Sequence, residues 1–126
     1  MSFKVKVKEG LFAVTFYSKA GDTISGGEEY ELQYSTDGGS SYTYIAGPLS
    51  STSCSQHGTF NLPSGTLVRA VRDVGGQDIY YNLNDGSNTC PPNNNDVCGG
   101  SVILPIGTHD VAITVWVDGN GDFEEC

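Results

Sequence analysis

Asp118, Asn120 and Asp122 stand at positions one, three and five of a calcium-loop spacing. Oxygen ligands at that spacing converge on a hard cation. Phe123 occupies the sixth position, where such a loop carries glycine, and the sequence stops short of the twelfth, where a bidentate Glu would sit; Glu124 is the nearest substitute. The stretch therefore reads first as an Asp/Asn/Gly turn and second as a calcium site. No other cofactor is expected.

The remaining polar residues suggest less chemistry. His57 and His109 are far apart, and neither stands beside a cysteine at zinc spacing. Both are expected at the surface or in turns. Asp73, Asp78 and Asp85 flank turns without the logic of a paired-carboxylate site. No serine lies in a G-x-S-x-G elbow. Ser25-Gly26-Gly27 and Gly99-Gly100 lack the lysine and the strand-to-helix setting of a phosphate loop. No catalytic residue is assigned, and the expectation is that the chain is not an enzyme. Tyr30, Tyr34, Tyr42, Tyr44, Tyr80 and Tyr81 read first as ordinary β-formers. Those on an outer sheet face could stack against a sugar or a protein partner.

Four cysteines, Cys54, Cys90, Cys98 and Cys126, permit three pairings. Cys90 and Cys98 bracket the run Pro91-Pro92-Asn93-Asn94-Asn95-Asp96, which a local bridge would staple. That pair is the expected disulfide, leaving Cys54 with Cys126. The alternative is four free thiols, as in a protein made and kept in a reducing cytosol.

The elements that must position these residues are strands. Tyr30, Leu32 and Tyr34 alternate with Glu31, Gln33 and Ser35, the period of a strand with one buried face. Asp37-Gly38-Gly39 supplies the positive φ of a tight reversal, and Tyr42 to Ile45 returns the chain as a β-hairpin. Lys4, Lys6 and Lys8 alternate with Phe3, Val5 and Val7, predicting a first strand at a sheet edge, where lysines discourage further pairing. Phe12, Val14 and Phe16 share one face of a second strand over Leu11–Ser18. Short strands follow at Thr59–Leu62, Thr66–Asp73, Ile79–Leu83, Val102–Leu104 and Val111–Val117, with Leu49–Gln56 and Asn84–Gly100 read as loops. About nine short antiparallel strands separated by frequent turns predict one all-β sandwich domain over residues 1–126.

The balance of 15 acidic against 6 basic residues, net −9, argues against nucleic acid, whose phosphates need clustered Lys and Arg. Nothing approaches the apolar length of a membrane span. The N-terminus lacks the apolar stretch of a secretory signal, so the chain is expected either to be made in a cytoplasm and used without export or to be a mature piece whose signal was replaced by Met1.

Tyr30-Glu31-Leu32-Gln33-Tyr34-Ser35-Thr36-Asp37-Gly38-Gly39, together with Leu62-Pro63-Ser64-Gly65-Thr66 and Val68-Arg69-Ala70-Val71, resembles fibronectin type III and related immunoglobulin-like modules over roughly residues 12–83. That resemblance implies an immunoglobulin-like sandwich with an adhesive, spacing or structural task. Ser35, Asp37, Gly39, Ser41 and Tyr42 are similar to the Asp-box of sialidases, a motif that shapes a hairpin turn away from catalysis. Val115 to Glu124 is similar to the strand-and-acidic-turn signature of extracellular bacterial β-modules.

In architecture alone, a small acidic sandwich made without export resembles the capsid auxiliary (decoration) and fibre-associated proteins of tailed bacteriophages. The leading expectation is a non-catalytic virion structural protein, present in many copies and docked on other virion proteins, with the major capsid protein as partner. The alternative is a carbohydrate-binding or adhesion module of a bacterial surface protein, with calcium and the tyrosines as its working parts.

Overall fold

The structure is a computed structural model that describes residues 11–91, 96–107 and 109–124. The expected first strand at Phe3–Val7 and Cys126 lie outside the described residues. Within them the chain is all β. The strands are β1 (Phe12–Ala20), β2 (Tyr30–Ser35), β3 (Thr43–Leu49), β4 (Ser55–Leu62), β5 (Leu67–Arg72), β6 (Tyr80–Asp85), β7 (Asp96–Cys98), β8 (Val102–Ile103) and β9 (His109–Val115). They form a five-stranded sheet of order β4-β1-β9-β6-β7 and a four-stranded sheet of order β3-β2-β5-β8.

Alternation decides which side chains meet between the sheets. From β1, Phe12, Val14, Phe16 and Ala20 point inward, as do Val111, Ile113 and Val115 of β9 and Tyr81 and Leu83 of β6. The smaller sheet answers with Tyr30, Leu32, Ile45, Val68 and Ala70, and Leu104 and Phe123 close the two ends. Burying this set is the main driving force for the fold. Ser18 occupies an inward position of β1 and is only 1% exposed. Its hydroxyl is satisfied there by Tyr30 OH at 2.8 Å and by His57 Nε2 at 2.6 Å.

Tyr30 is deprived of water by this packing. Burial pushes its phenol from 10.0 up to about 12, against the smaller opposing effect of its bond to Ser18. The neutral phenol is therefore favoured in the folded chain. Its contribution is complete below about pH 10 and is lost as the pH rises towards 12. Tyr81 shifts in the same direction, chiefly by burial. In an absorbance titration, two of the seven tyrosines should ionise only as the protein unfolds. Seven ordinary titrations with near-ultraviolet circular dichroism unchanged would contradict this.

The predicted hairpin is present, with Gly38 and Gly39 at φ of 74° and 95°. Ser35 Oγ donates to Asp37 Oδ1 at 2.7 Å and accepts from the Gly39 amide at 2.9 Å. Ser41 gives Asp37 both its amide, 2.9 Å, and its hydroxyl, 2.6 Å. The Ser41 hydroxyl first, and that of Ser35 second, hold the Asp37 carboxyl down at about 2 against an ordinary 3.8. The charged turn is thus fully supported above about pH 4 and loses support as the pH falls through 2. Hydrogen-exchange protection of the Gly39 and Ser41 amides should fall across that interval, and Asp37→Asn should flatten the dependence. An unchanged pH profile in the variant would contradict the assignment.

Two expectations are corrected. β1 and β9 run parallel, from Val14 opposite His109 to Ala20 opposite Val115. The strands are therefore not all antiparallel. A period of two fixes the face of a residue but not the neighbour of its strand, and here nearly the whole domain serves as the crossover between the pair. The segment Asn84–Gly100 is also not one irregular loop, because β7 pairs with β6 through Tyr81 opposite Val97.

Candidate functional site

The outer face of the five-stranded sheet carries three successive rows of side chains. Tyr17, Ala112 and Asn84 form the first, and Lys19, Thr114 and Asn82 the second, each aligned across β1, β9 and β6. A third row continues with Gly21, Trp116 and Tyr80, tied by Gly21 N–H to Val115 O at 2.8 Å and Trp116 N–H to Tyr80 O at 3.0 Å. The outward row of a sheet in a two-sheet sandwich normally meets water. Ala112, Asn84, Thr114 and Asn82 are nevertheless all buried.

Their cover is the segment following β6. It leaves Asp85, folds back over the face, and is bonded through Cys90 to Cys54 beside the start of β4, with Cα atoms 5.8 Å apart. Thr114 Oγ1 donates to Cys90 O at 3.4 Å, and Asn84 Nδ2 donates to Pro91 O at 3.2 Å. The chain thus lays a strap over β9 and β1. This pairing replaces the expected Cys90–Cys98 bridge. Cys90 is a buried residue of the strap itself, whereas Cys98 belongs to the β7 ladder opposite Tyr80. Cys98 is disulfide-bonded as well, but not to Cys90.

Where the strap stops, at Thr114, a recess of about 360 Å³ opens, lined by Lys19, Gly21, Asp22, Asn82, Thr114, Trp116 and Val117. Gly21 makes room for it, since a Cβ there would lie 3.2 Å from Val115 O and 3.5 Å from Thr114 Cγ2. Trp116 is 39% exposed. Its ring meets Tyr80 edge-on, with centroids 6.4 Å apart, and its indole N–H donates to Asp96 Oδ1 at 3.1 Å. On the far side of Trp116 a second recess is lined by Tyr80, Asp96 and Glu124. Sequence reasoning did not single out Trp116. The signal was there in the alternation of Ala112 and Thr114 on β9, which continues to Trp116 just past its end and aims the sole tryptophan outward.

The residues singled out earlier are scattered. Asp118 Oδ1 accepts the amides of Asn120 and Asp122 at 2.8 and 3.0 Å. The turn is braced against Ser25, whose amide donates to Gly121 O and whose hydroxyl donates to Asn120 O, both at 2.9 Å. Gly121 has no alternative there, because a Cβ would come within 2.7 Å of Ser25 Oγ. Asp118 thus acts as the keystone of this turn. Among the described residues, no group of three or more His, Cys, Asp or Glu side chains could hold a metal ion.

The histidines are half-buried and make contacts inside the fold. His57 faces inward from β4, and burial lowers its pKa. His109 stacks on Phe12, with centroids 5.7 Å apart, and its Nε2 lies 2.9 Å from Asp85 Oδ1. Ser18 and His57 form a hydroxyl–imidazole pair, but the buried Ser18 hydroxyl is shared with Tyr30 and closed to any substrate.

The tyrosines form no common platform. Tyr30 and Tyr81 are core residues, Tyr34 packs against the core, and Tyr42 lies beneath the Arg69 guanidinium at 3.5 Å. Tyr44 is exposed on β3, and Tyr80 lies beside Trp116.

A second surface feature lies at the end of the sandwich where β1 and β9 begin. The chain crosses there from β8 to β9, and Ile103, the last residue of β8, and Ile106, on the connection, are 64% and 75% exposed. Leu11, also exposed, immediately precedes β1 at the same end.

The fold and both surfaces define a two-sheet all-β protein. Comparison with known protein families, with curated proteins and with solved structures gives no match to the chain.

Proposed function

We propose that this chain is a non-catalytic, immunoglobulin-like structural module of a virus particle, a capsid auxiliary or fibre-associated protein of a tailed bacteriophage. The observation that carries the reading is the exposure of Leu11, Ile103 and Ile106 towards one end of a strongly acidic sandwich. Large aliphatic side chains left exposed in a small domain are candidates for a contact surface. Three of them support only weak docking by themselves. Repeated on a symmetric lattice of major capsid protein, such weak contacts add through multivalency. The negative charge keeps free copies apart in solution before they meet the particle.

Purified chain mixed with empty capsids should bind at a fixed ratio of copies per capsid subunit. The double variant Ile103→Glu with Ile106→Glu should lower occupancy about tenfold while leaving the sandwich folded, because both side chains already face water. Absence of saturable binding, or binding indifferent to both substitutions, would overturn the reading.

A further inference from the structure

We propose that the recess beside Trp116 is a binding site for a neutral hexopyranose unit of a surface polysaccharide. A sugar ring has one face of C–H groups and a rim of hydroxyls. An exposed indole offers the matching apolar surface, and its orientation here is fixed by the bond to Asp96 and the edge of Tyr80. Beside it stand the groups that bind hydroxyls, the Asp22 carboxylate, which accepts, and the Lys19 ammonium, which donates, while the buried Asn82 and Thr114, aligned with Lys19 in the second row, form the floor.

The volume of about 360 Å³ is at the small end for a ligand site, suited to one or two sugar units rather than a long chain. The second recess, across Trp116, would take the neighbouring unit. Charge selects among sugars. Lys19 and Asp22 cancel, and Asp96 and Glu124 make the far side acidic. Sialic acids and uronates would meet carboxylates, so neutral hexoses are favoured.

The site is rigid for a reason visible in the fold. Its floor belongs to the central strands β9 and β6, and the Cys54–Cys90 strap holds Thr114 at its margin. A preformed site loses little entropy on binding, which matters for a ligand that makes few contacts. The site is separate from Leu11, Ile103 and Ile106 and does not depend on the docking reading.

Trp116 is the only tryptophan, so its fluorescence reports on the recess directly. The full chain should bind neutral oligosaccharides on a glycan array. Titration with the same sugars should give a saturable shift of tryptophan emission. Asp22→Ala, at an exposed loop position, should weaken binding about tenfold with an unchanged melting temperature. Trp116→Ala should abolish the array signal. Silence towards all neutral glycans, preference for acidic ones, or binding that survives both substitutions would overturn the proposal. Sugar binding without capsid binding would remove the docking reading and leave this one standing, and the converse result would do the opposite.

Discussion

Replacing Cys54 and Cys90 together by serine is expected to lower stability by about 4 kcal/mol, measured by urea denaturation under oxidising conditions. The two residues are 36 apart in sequence, and closing a loop of that length in the unfolded chain accounts for roughly this amount. The change should also be local in character. Without its anchor the strap would leave Ala112, Thr114, Asn82 and Asn84 open to water, and hydrogen exchange in β6 should rise before global unfolding. A loss under about 1 kcal/mol, within the ordinary range for a single surface change, would show that the strap is held by packing rather than by its bond.

Phe16→Ala is expected to cost about 3–5 kcal/mol, the range for removing a fully buried ring. Phe16 has no exposed surface and lies on the central part of β1, between β4 and β9. Its ring meets Phe60 edge-on at 5.8 Å, and Phe60 in turn meets Tyr34 of the other sheet at 5.9 Å. Truncation removes one member of a chain of rings that joins the sheets. Domains of this kind are stable by only about 5–15 kcal/mol, so the variant should melt far below the parent. Phe16→Leu, which keeps most of the volume, should recover much of the loss. Equal destabilisation by both variants would place the effect in ring geometry rather than in cavity formation.

Both expectations concern features that differ in how legible they were from sequence. The inward face of β1 could be read from Phe12, Val14 and Phe16, because one local period of two suffices. The hairpin at Asp37-Gly38-Gly39 was equally plain, since its turn chemistry is local. The strap was not. Asn82 and Asn84 alternate with Tyr81 and Leu83 as a solvent-facing set would, and only the fold-back of the irregular segment after β6, which no local period marks, makes them interior. The same segment carries Cys90 away from Cys98, so proximity in sequence misled the pairing. β7 escaped notice because three residues, Asp96, Val97 and Cys98, offer no period to read. The tyrosines were read first as ordinary β-formers, but a residue type shared by core and surface does not announce which of them are interior. The tryptophan's place became evident only once β9 and its outward side were fixed.

The side-by-side course of β1 and β9 has a mechanical consequence. A pull on the chain ahead of β1 and another on the chain beyond β9 would drag two parallel strands past each other lengthwise. The backbone bonds between Val14–Ala20 and His109–Val115 would then be loaded together rather than opened one at a time. Such a joint resists tension far better than a peeled hairpin, a useful property in any module tethered at both ends.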